Sequence, residues 1–266
     1  MSNKLGFIGC GKMAKAIING CLAANLINKN DIIASVKTSE SANICKNELD
    51  IQIVTKNNEV VNFADIIFLA TKPNQVENVL KEIQTYLTKD KLIISLAAGI
   101  STQKIEQYIG STPLIRVMPN TPVLIKEGIS ATTKGRFATD KHEQLVHEIL
   151  SKIGKVISVE ENQIDVVTAI SGSGPAFFYQ IFEDMAQAGA KLGLDYNKAL
   201  LLAVQTAIGA AKMTLNRTNS VNDLVASVAT KGGCTEVGIN TMKNLKSEDL
   251  FFEIIKNTTI KAHSLG

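Results

Sequence analysis

A short glycine-rich turn near the start of the chain constrains the fold more than any other feature of the sequence. Residues 6–14 read GFIGCGKMA, and they follow an apolar run that begins at Lys4. Gly9 and Gly11 allow a tight turn from a strand into a helix, and they let a pyrophosphate approach the backbone at the helix N-terminus. Ala14 replaces the third glycine of the usual fingerprint and is small enough for close helix–strand packing. The turn therefore predicts a dinucleotide-binding unit.

The first part of the chain alternates two kinds of apolar pattern. Segments with helical spacing, such as Met13, Ile17 and Cys21, lie between short runs of β type. The β-type runs span residues 4–9, 32–36, 52–55, 66–71, 92–97, 114–119 and 155–159. This alternation favours an α/β fold in which a doubly wound, mostly parallel sheet of Rossmann type has helices on both faces.

After residue 160 the pattern changes to long helical runs. Pro175 suits the first turn of a helix, and the Ser-Gly-Ser-Gly before it is expected to expose backbone donors. Asp195 is predicted to cap a helix over residues 196–215 that is apolar on nearly every face. We therefore expect a Rossmann domain over residues 1–160 and an all-helical dimerisation domain over 161–266. The alternative is that this helix is the centre of its own bundle.

Charge and composition exclude several classes of protein. The chain has 266 residues, enough for two domains, and 45% of them are hydrophobic. Its net charge is +3 and its lysines are scattered, so nucleic-acid binding gets no support. The apolar run at 199–211 is interrupted by Gln205 and is shorter than a membrane span, so we expect no membrane association.

The cysteines bear on the cellular compartment. Cys10, Cys21, Cys45 and Cys234 show no CxxC or Cys/His spacing, so no metal site is predicted. A reduced, cytoplasmic protein is the simplest interpretation, and no signal peptide is visible at the N-terminus.

The end of the second β-type run indicates which dinucleotide binds. NAD enzymes place a carboxylate there to hold the ribose hydroxyls, whereas this chain has Ser35 and Lys37 with no acid. A 2′-phosphate fits these residues better, so we expect NADP, used as NADPH. Arginine, the better phosphate ligand, is absent from the end of this run, so discrimination is expected to be modest and NAD remains an alternative.

A second glycine-rich turn lies near the end of the chain. Residues 223–239 read DLVASVATKGGCTEVGI, in which Gly232 and Gly233 separate two helical runs and Thr235 opens the second. Such a corner can bind a carboxylate, because backbone N–H groups and the helix dipole face the ligand. The alternative is a glycine-terminated helix followed by a threonine N-cap.

This second turn resembles the signature of the pyrroline-5-carboxylate reductases, the enzymes that make proline. The resemblance covers essentially the whole chain and is most specific in residues 223–239 and 168–176. It implies reduction of 1-pyrroline-5-carboxylate, a small cyclic imino acid, to L-proline by NAD(P)H. It also implies a homodimer, with a decamer of five dimers as a larger assembly. The implied substrate-binding residues are Thr230, Gly232, Gly233, Cys234, Thr235 and Ser173, with Thr235 catalytic beside the ring nitrogen.

The resemblance extends through the first domain. Residues 66–73 resemble the family's strand and loop along the nicotinamide ribose, and 95–99 resemble its loop beside the nicotinamide ring. Residues 116–122 are similar to a further family motif, and Asn57 matches an asparagine near the adenosine ribose. The expected cofactor-binding residues are Ile8, Gly9, Cys10, Gly11, Lys12, Met13, Ser35, Lys37, Asn57, Ala70, Thr71, Lys72, Pro73, Ala97, Ala98, Gly99 and Asn120.

The sequence also departs from the family pattern, and two other functions stay open. Lys231 replaces a usual proline, and residues 216–221 lack the family's Glu and His-Pro pattern. A β-hydroxyacid dehydrogenase is one alternative, but Phe178 occupies the position of that family's catalytic lysine. The other is a non-catalytic NADP-binding sensor. The histidines, His142, His147 and His263, are expected to be solvated surface residues.

Overall fold

A mixed sheet is the framework of the first part of the chain. The structure is a computed structural model that describes residues 3–216 and 219–264. Within those residues the sheet has eight strands in the order β3-β2-β1-β4-β5-β6-β7-β8. The strands are β1 Leu5–Ile8, β2 Ile32–Ser35, β3 Gln52–Val54, β4 Ile66–Leu69, β5 Leu92–Ser95, β6 Leu114–Pro119, β7 Gly128–Lys134 and β8 Gly154–Ser158.

Seven of these strands coincide with the predicted β-type runs, and β7 was missed. Strands β1 to β6 are parallel to one another, whereas β7 runs antiparallel to β6 and parallel to β8. β7 reads GISATTK, and its Ser130 and Thr132 are buried although they are polar. A run with so few apolar side chains does not have the composition that identifies a buried strand.

Both faces of the sheet are buried under helices. The helices of this part are α1 Lys12–Ala23, α2 Ser39–Leu49, α3 Asn57–Phe63, α4 Pro73–Ile83, α5 Thr102–Ile109, α6 Asp140–Leu150 and the short α7 Ile164–Val167. Ile17 of α1 and Val146 of α6 pack on one face with Phe7 and Phe68, whose rings stack at 4.6 Å. Val60 and Leu80 pack on the other face. The doubly wound fold is confirmed, and its central strands are mainly apolar because neither face meets water.

The remaining helices are α8 Gly174–Lys191, α9 Tyr196–Leu215, α10 Val221–Val228, α11 Cys234–Asn244 and α12 Ser247–His263. Residue contacts divide the chain into two units. The first unit comprises Met1–Ser173 and Thr258–Gly266, and the second unit comprises Gly174–Asn257. The predicted boundary after residue 160 does not coincide with this division, because residues 161–173 and the end of α12 from Thr258 belong to the first unit.

Helices α8 and α9 form a hairpin in the second unit. Gly193 has a φ of +95° in the connection, and the N–H of Leu194 donates to the carbonyl of Gly189. Asp195 caps α9 as predicted, accepting a hydrogen bond from the N–H of Lys198 at 3.0 Å. The bounds of α9 are those that the sequence predicted.

Little of α9 is buried within the chain. Ala199 and Ala203 are its buried residues, whereas the side chains of Leu201 and Leu202 are 67% and 60% exposed. Among the described residues α9 is the one helix whose length and mean hydropathy of 1.2 would allow it to cross a membrane. A helix that another subunit covers meets the same criterion, so the finding is weak evidence for a membrane span.

Candidate active site

A cavity of about 800 Å³ opens at the carboxyl ends of β1, β2 and β4. This is the edge of a doubly wound sheet where nucleotides bind. Nine of the predicted cofactor residues line it: Gly9, Cys10, Gly11, Ser35, Lys37, Asn57, Ala70, Thr71 and Lys72. The sequence did not point to its other lining residues: Lys15, Val36, Ser41, Ile44, Cys45, Thr55, Gln75, Asn78, Val79 and Glu82.

The glycine turn closes one side of the cavity. Gly9 has a φ of +94°, and a Cβ there would lie 2.8 Å from the carbonyl oxygen of Ala70. A side chain at this position would therefore be strained and would collide with the end of β4. Gly11 is the N-cap of α1, and a Cβ there would meet no atom within 4 Å. The turn thus leaves an open space in front of the N-terminus of α1.

That open helix end suits a phosphate. No side chain caps α1, and its first turn contains no acidic residue. The first N–H groups of a helix have no partner inside it, and the helix dipole favours an anion there. Thr71 adds a hydroxyl oxygen that is buried without a hydrogen-bond partner. The residues present therefore fit the pyrophosphate and ribose of a dinucleotide.

The ribose end of the cavity contains an acid that the sequence did not reveal. The Ser35 hydroxyl donates to Asn57 Oδ1 at 2.7 Å, and Asn57 Nδ2 donates to Glu82 Oε2 at 2.8 Å. Glu82 is on α4, and its carboxylate reaches this end only through the fold. The end of β2 has no acid, as the sequence showed, but Asn57 joins it to the carboxylate of Glu82.

Eight predicted cofactor residues do not line this cavity. Ile8 and Ala97 are buried, and Pro73 and Ala98 line a different cavity of about 420 Å³ between α4 and α5. Asn120 Oδ1 accepts a hydrogen bond from the N–H of Ile129, which holds the turn before β7. The others are Lys12 and Met13 at the start of α1 and Gly99 after β5.

Arg116, in the motif over residues 116–122, has a structural position. It is buried, and its guanidinium donates to Glu161 Oε1 at 2.7 Å. The same oxygen accepts from the N–H of Thr102 at 3.1 Å. Glu161 thus joins β6 to the start of α5, and Arg116 is not among the residues that line the cavity.

The second glycine turn lies between α10 and α11 in the second unit. Gly232 has a φ of +79°, and the N–H of Gly233 donates to the carbonyl of Thr230 at 3.0 Å. Gly233 is the N-cap of α11, so Cys234 and Thr235 are its first two residues. The threonine N-cap considered from the sequence is wrong: the hydroxyl of Thr235 caps nothing, because the helix begins one residue before it.

A carboxylate from α11 occupies part of this turn. Glu236 Oε2 accepts a hydrogen bond from the N–H of Gly232 at 2.7 Å. The first N–H groups of α11 lack partners within the helix, and no side chain caps them. The turn therefore offers the N–H groups of Cys234 and Thr235 to an anion, and Glu236 fixes the conformation of Gly232.

Ser173 lies at the division between the units. Residues Thr168–Gly172 form a π-helical turn, in which the N–H of Ser173 donates to the carbonyl of Thr168 at 2.8 Å. The expectation that Ser-Gly-Ser-Gly exposes its donors is wrong for Ser173, because the wide helical turn uses this N–H. Such turns occur often at functional sites.

His142 and His147 are less exposed than predicted, whereas His263 is exposed as predicted. His142 forms a capping box with Thr139, and burial lowers its pKa. His147 Nε2 lies 2.9 Å from the hydroxyl of Thr132. His263 is exposed but lies 3.0 Å from a carboxylate oxygen of Asp165. Each therefore has a structural partner. Among the described residues no group of three or more His, Cys, Asp or Glu side chains is placed to hold a metal ion.

The fold and the cavity define a Rossmann-type dinucleotide-binding protein with a helical C-terminal part. Two family models match the chain: pyrroline-5-carboxylate reductase dimerisation over residues 161–265, and NADP oxidoreductase coenzyme F420-dependent over residues 4–99. The pyrroline-5-carboxylate reductase of Methanosarcina acetivorans is 34% identical over the whole chain and 98% of the relative. That of Arabidopsis thaliana is 33% identical over 91% of the chain and 88% of the relative. The chain belongs to the pyrroline-5-carboxylate reductase family.

Solved structures agree with this assignment. A pyrroline-5-carboxylate reductase from Coxiella burnetii superposes with a TM-score of 0.94 at 32% identity, covering 100% of this chain and 99% of that one. The Plasmodium falciparum pyrroline carboxylate reductase with NADP bound gives 0.87 at 29% identity, with coverage of 100% and 98%. A 3-hydroxyisobutyrate dehydrogenase from Mycobacterium tuberculosis gives 0.56 at 12% identity and shares the fold alone. The matching dimerisation domain supports homo-oligomerisation.

Proposed function

We propose that this protein is a pyrroline-5-carboxylate reductase that uses NADPH to reduce 1-pyrroline-5-carboxylate to L-proline, the last step of proline biosynthesis. The observation that carries the proposal is the open N-terminus of α1 at the cavity, in a chain whose full length matches these reductases. It is further supported by the Plasmodium relative, whose structure contains NADP.

The cofactor is bound by the first unit. The N–H groups at the start of α1 receive the pyrophosphate, and Gly9 and Gly11 leave the space that it fills. Lys37 and Ser41 supply a cation and a hydroxyl to the 2′-phosphate. Glu82 weakens 2′-phosphate binding, because a carboxylate repels a phosphate. We therefore expect a modest preference for NADPH over NADH, with NADH still accepted.

The substrate is held by the second glycine turn. Its carboxylate accepts hydrogen bonds from the N–H groups of Cys234 and Thr235, with Thr230, Gly232 and Gly233 shaping the turn. Ser173, after the π-helical turn, is the remaining proposed substrate contact. Glu236 positions the turn by holding the N–H of Gly232, and it must remain outside the carboxylate site because two carboxylates repel.

The reaction requires few catalytic groups from the protein. Bound NADPH supplies the hydride that the C=N carbon receives. A protonated imine is already strongly electrophilic, so the residues mainly orient the ring and hydrogen-bond its nitrogen. The Thr235 hydroxyl makes that bond, since it is not engaged as a helix cap. No basic catalytic residue is required.

The two alternative functions require different residues and would give different results in an assay. A β-hydroxyacid dehydrogenase needs a base for the alcohol proton, and Phe178 packs its ring 6.4 Å from that of Phe182 at the position of that lysine. A sensor would bind NADPH without turning over. The proposed assembly is a homodimer formed through the helical part, with a decamer of five dimers as the larger form. The proposed location is cytoplasmic, without membrane or nucleic-acid partners.

The deciding experiment is an absorbance assay of NADPH oxidation with 1-pyrroline-5-carboxylate, accompanied by a binding titration with NADPH alone. We expect substrate-dependent oxidation and production of L-proline. Binding without oxidation would favour the sensor, and oxidation of a hydroxyacid with NADP but no imine reduction would favour the dehydrogenase.

A further inference from the structure

Two thiols meet in the cofactor cavity. Cys10 lies between Gly9 and Gly11 in the turn before α1, and Cys45 lies on α2. The Cys45 thiol donates a hydrogen bond to the carbonyl oxygen of Cys10, with Sγ and O 3.9 Å apart. Both residues line the 800 Å³ cavity, although their exposed fractions are only 8% and 4%. A small oxidant entering the cavity therefore reaches a wall to which both cysteines contribute.

The thiols interact with each other as well as with the backbone. Burial, followed by the charge and the hydrogen bond of the adjacent Cys45 sulfur, raises the pKa of the Cys10 thiol to about 12. Cys10 therefore retains its proton at neutral pH.

The other two cysteines do not share this setting. Cys21 is fully buried in the core on α1 and does not line the cavity. Cys234 is exposed in the second unit, at the start of α11. Proximity to a second thiol and access through a cavity thus occur together at Cys10 and Cys45.

We infer that Cys10 and Cys45 are a dithiol modification site that hydrogen peroxide converts to a disulfide, and that this disulfide switches off cofactor binding. The Cys45 sulfur attacks the peroxide, forming an S–O bond while the O–O bond breaks and one water leaves. The Cys10 sulfur then attacks the Cys45 sulfur, forming the S–S bond while the S–O bond breaks; the proton of the Cys10 thiol passes to the departing hydroxyl, and a second water leaves. Both thiols are oxidised and the peroxide is reduced. A dithiol reductant reverses the change by exchange.

The disulfide acts through the glycine turn. A disulfide fixes its sulfurs about 2.05 Å apart and its Cα atoms about 4.4–6.8 Å apart. Forming it ties the turn to α2, while the N–H of Gly9 is already held by the carbonyl of Ser35 at 3.1 Å. The N–H groups at the start of α1 are then turned away from the pyrophosphate. Conversely, bound NADPH fills the cavity and shields both thiols. This consequence rests on the proposed cofactor site, whereas disulfide formation does not.

The test oxidises the full-length protein with hydrogen peroxide, with and without NADPH, and maps its peptides by mass spectrometry without reduction. We expect a linked Cys10–Cys45 peptide that NADPH suppresses and dithiothreitol removes. Fluorescence titration should show NADPH affinity weakened at least tenfold by oxidation. Cys45→Ser, and Cys45→Ala if serine impairs folding, should show no change on oxidation, whereas Cys21→Ser should respond like the parent protein.

Two results would overturn the inference. Absence of the linked peptide after other thiols have been oxidised excludes the modification site, and a linked protein of unchanged NADPH affinity excludes the switch. Failure of the proposed function gives a different result. The reduced protein would then not bind NADPH, although the linked peptide would still form.

Discussion

Replacing Thr235 with alanine separates a catalytic hydroxyl from a structural one. Thr235 is the second residue of α11, whose N-cap is Gly233, so its hydroxyl makes no cap hydrogen bond that alanine would remove. Alanine has the higher helix propensity, so the melting temperature should stay within a few degrees of the parent or rise slightly. The N–H of residue 235 remains, so the carboxylate contact is retained.

The expected loss is therefore confined to turnover. One hydrogen bond at the reacting centre is worth about 1–3 kcal/mol, so kcat/KM should fall roughly ten- to a hundredfold. Thr235→Ser keeps the hydroxyl and should retain most activity. The dissociation constant for NADPH should not change, since the cofactor cavity is in the first unit.

The assay compares kcat/KM, melting temperature and NADPH binding for each variant. Thr241→Ala is a matched control, because Thr241 is on the same helix and its hydroxyl donates to the carbonyl of Val237. The control should keep normal kcat/KM. A Thr235→Ala enzyme with the parent's kcat/KM would refute the reasoning, whatever its melting temperature.

Three further outcomes are expected. Lys37→Glu should shift the ratio of kcat/KM for NADPH over NADH towards NADH, because a carboxylate repels the 2′-phosphate and accepts from a ribose hydroxyl, while Lys46→Glu on α2 should leave the ratio alone. Leu201→Lys should yield smaller species in sedimentation velocity; oligomers of parental size would argue against α9 as the interface. Burial lowers the folded-state pKa of His142, so the folded protein favours the neutral imidazole. The stability that this neutral form contributes is present above the ordinary pKa of about 6.5 and is lost as the pH falls below that value. His142→Gln preserves the capping box and should flatten the decline of melting temperature between about pH 7 and 5, and an unchanged slope would contradict this.

The sequence by itself predicted those features that depend on neighbouring residues. Gly9 and Gly11 can be identified because a tight turn and an exposed helix end need glycine within a few positions of a strand. The bounds of α9 could be predicted because Asp195 caps its first turn and the apolar pattern continues to Leu215. The mostly parallel sheet followed from apolar runs that can only be buried on both faces.

The tertiary structure decided what depends on residues far apart in the chain. Glu82 and Cys45 reach the cofactor cavity from α4 and α2, and no local pattern marks either residue as part of it. The strand β7 is held by pairing with β6 and β8 rather than by its own apolar residues. The start of α11 at Cys234 was misplaced by one residue, because glycine can serve as an N-cap without a side-chain signal. Local patterns report the preferences of a short segment, whereas packing and pairing across the sheet depend on which distant segments the fold brings together.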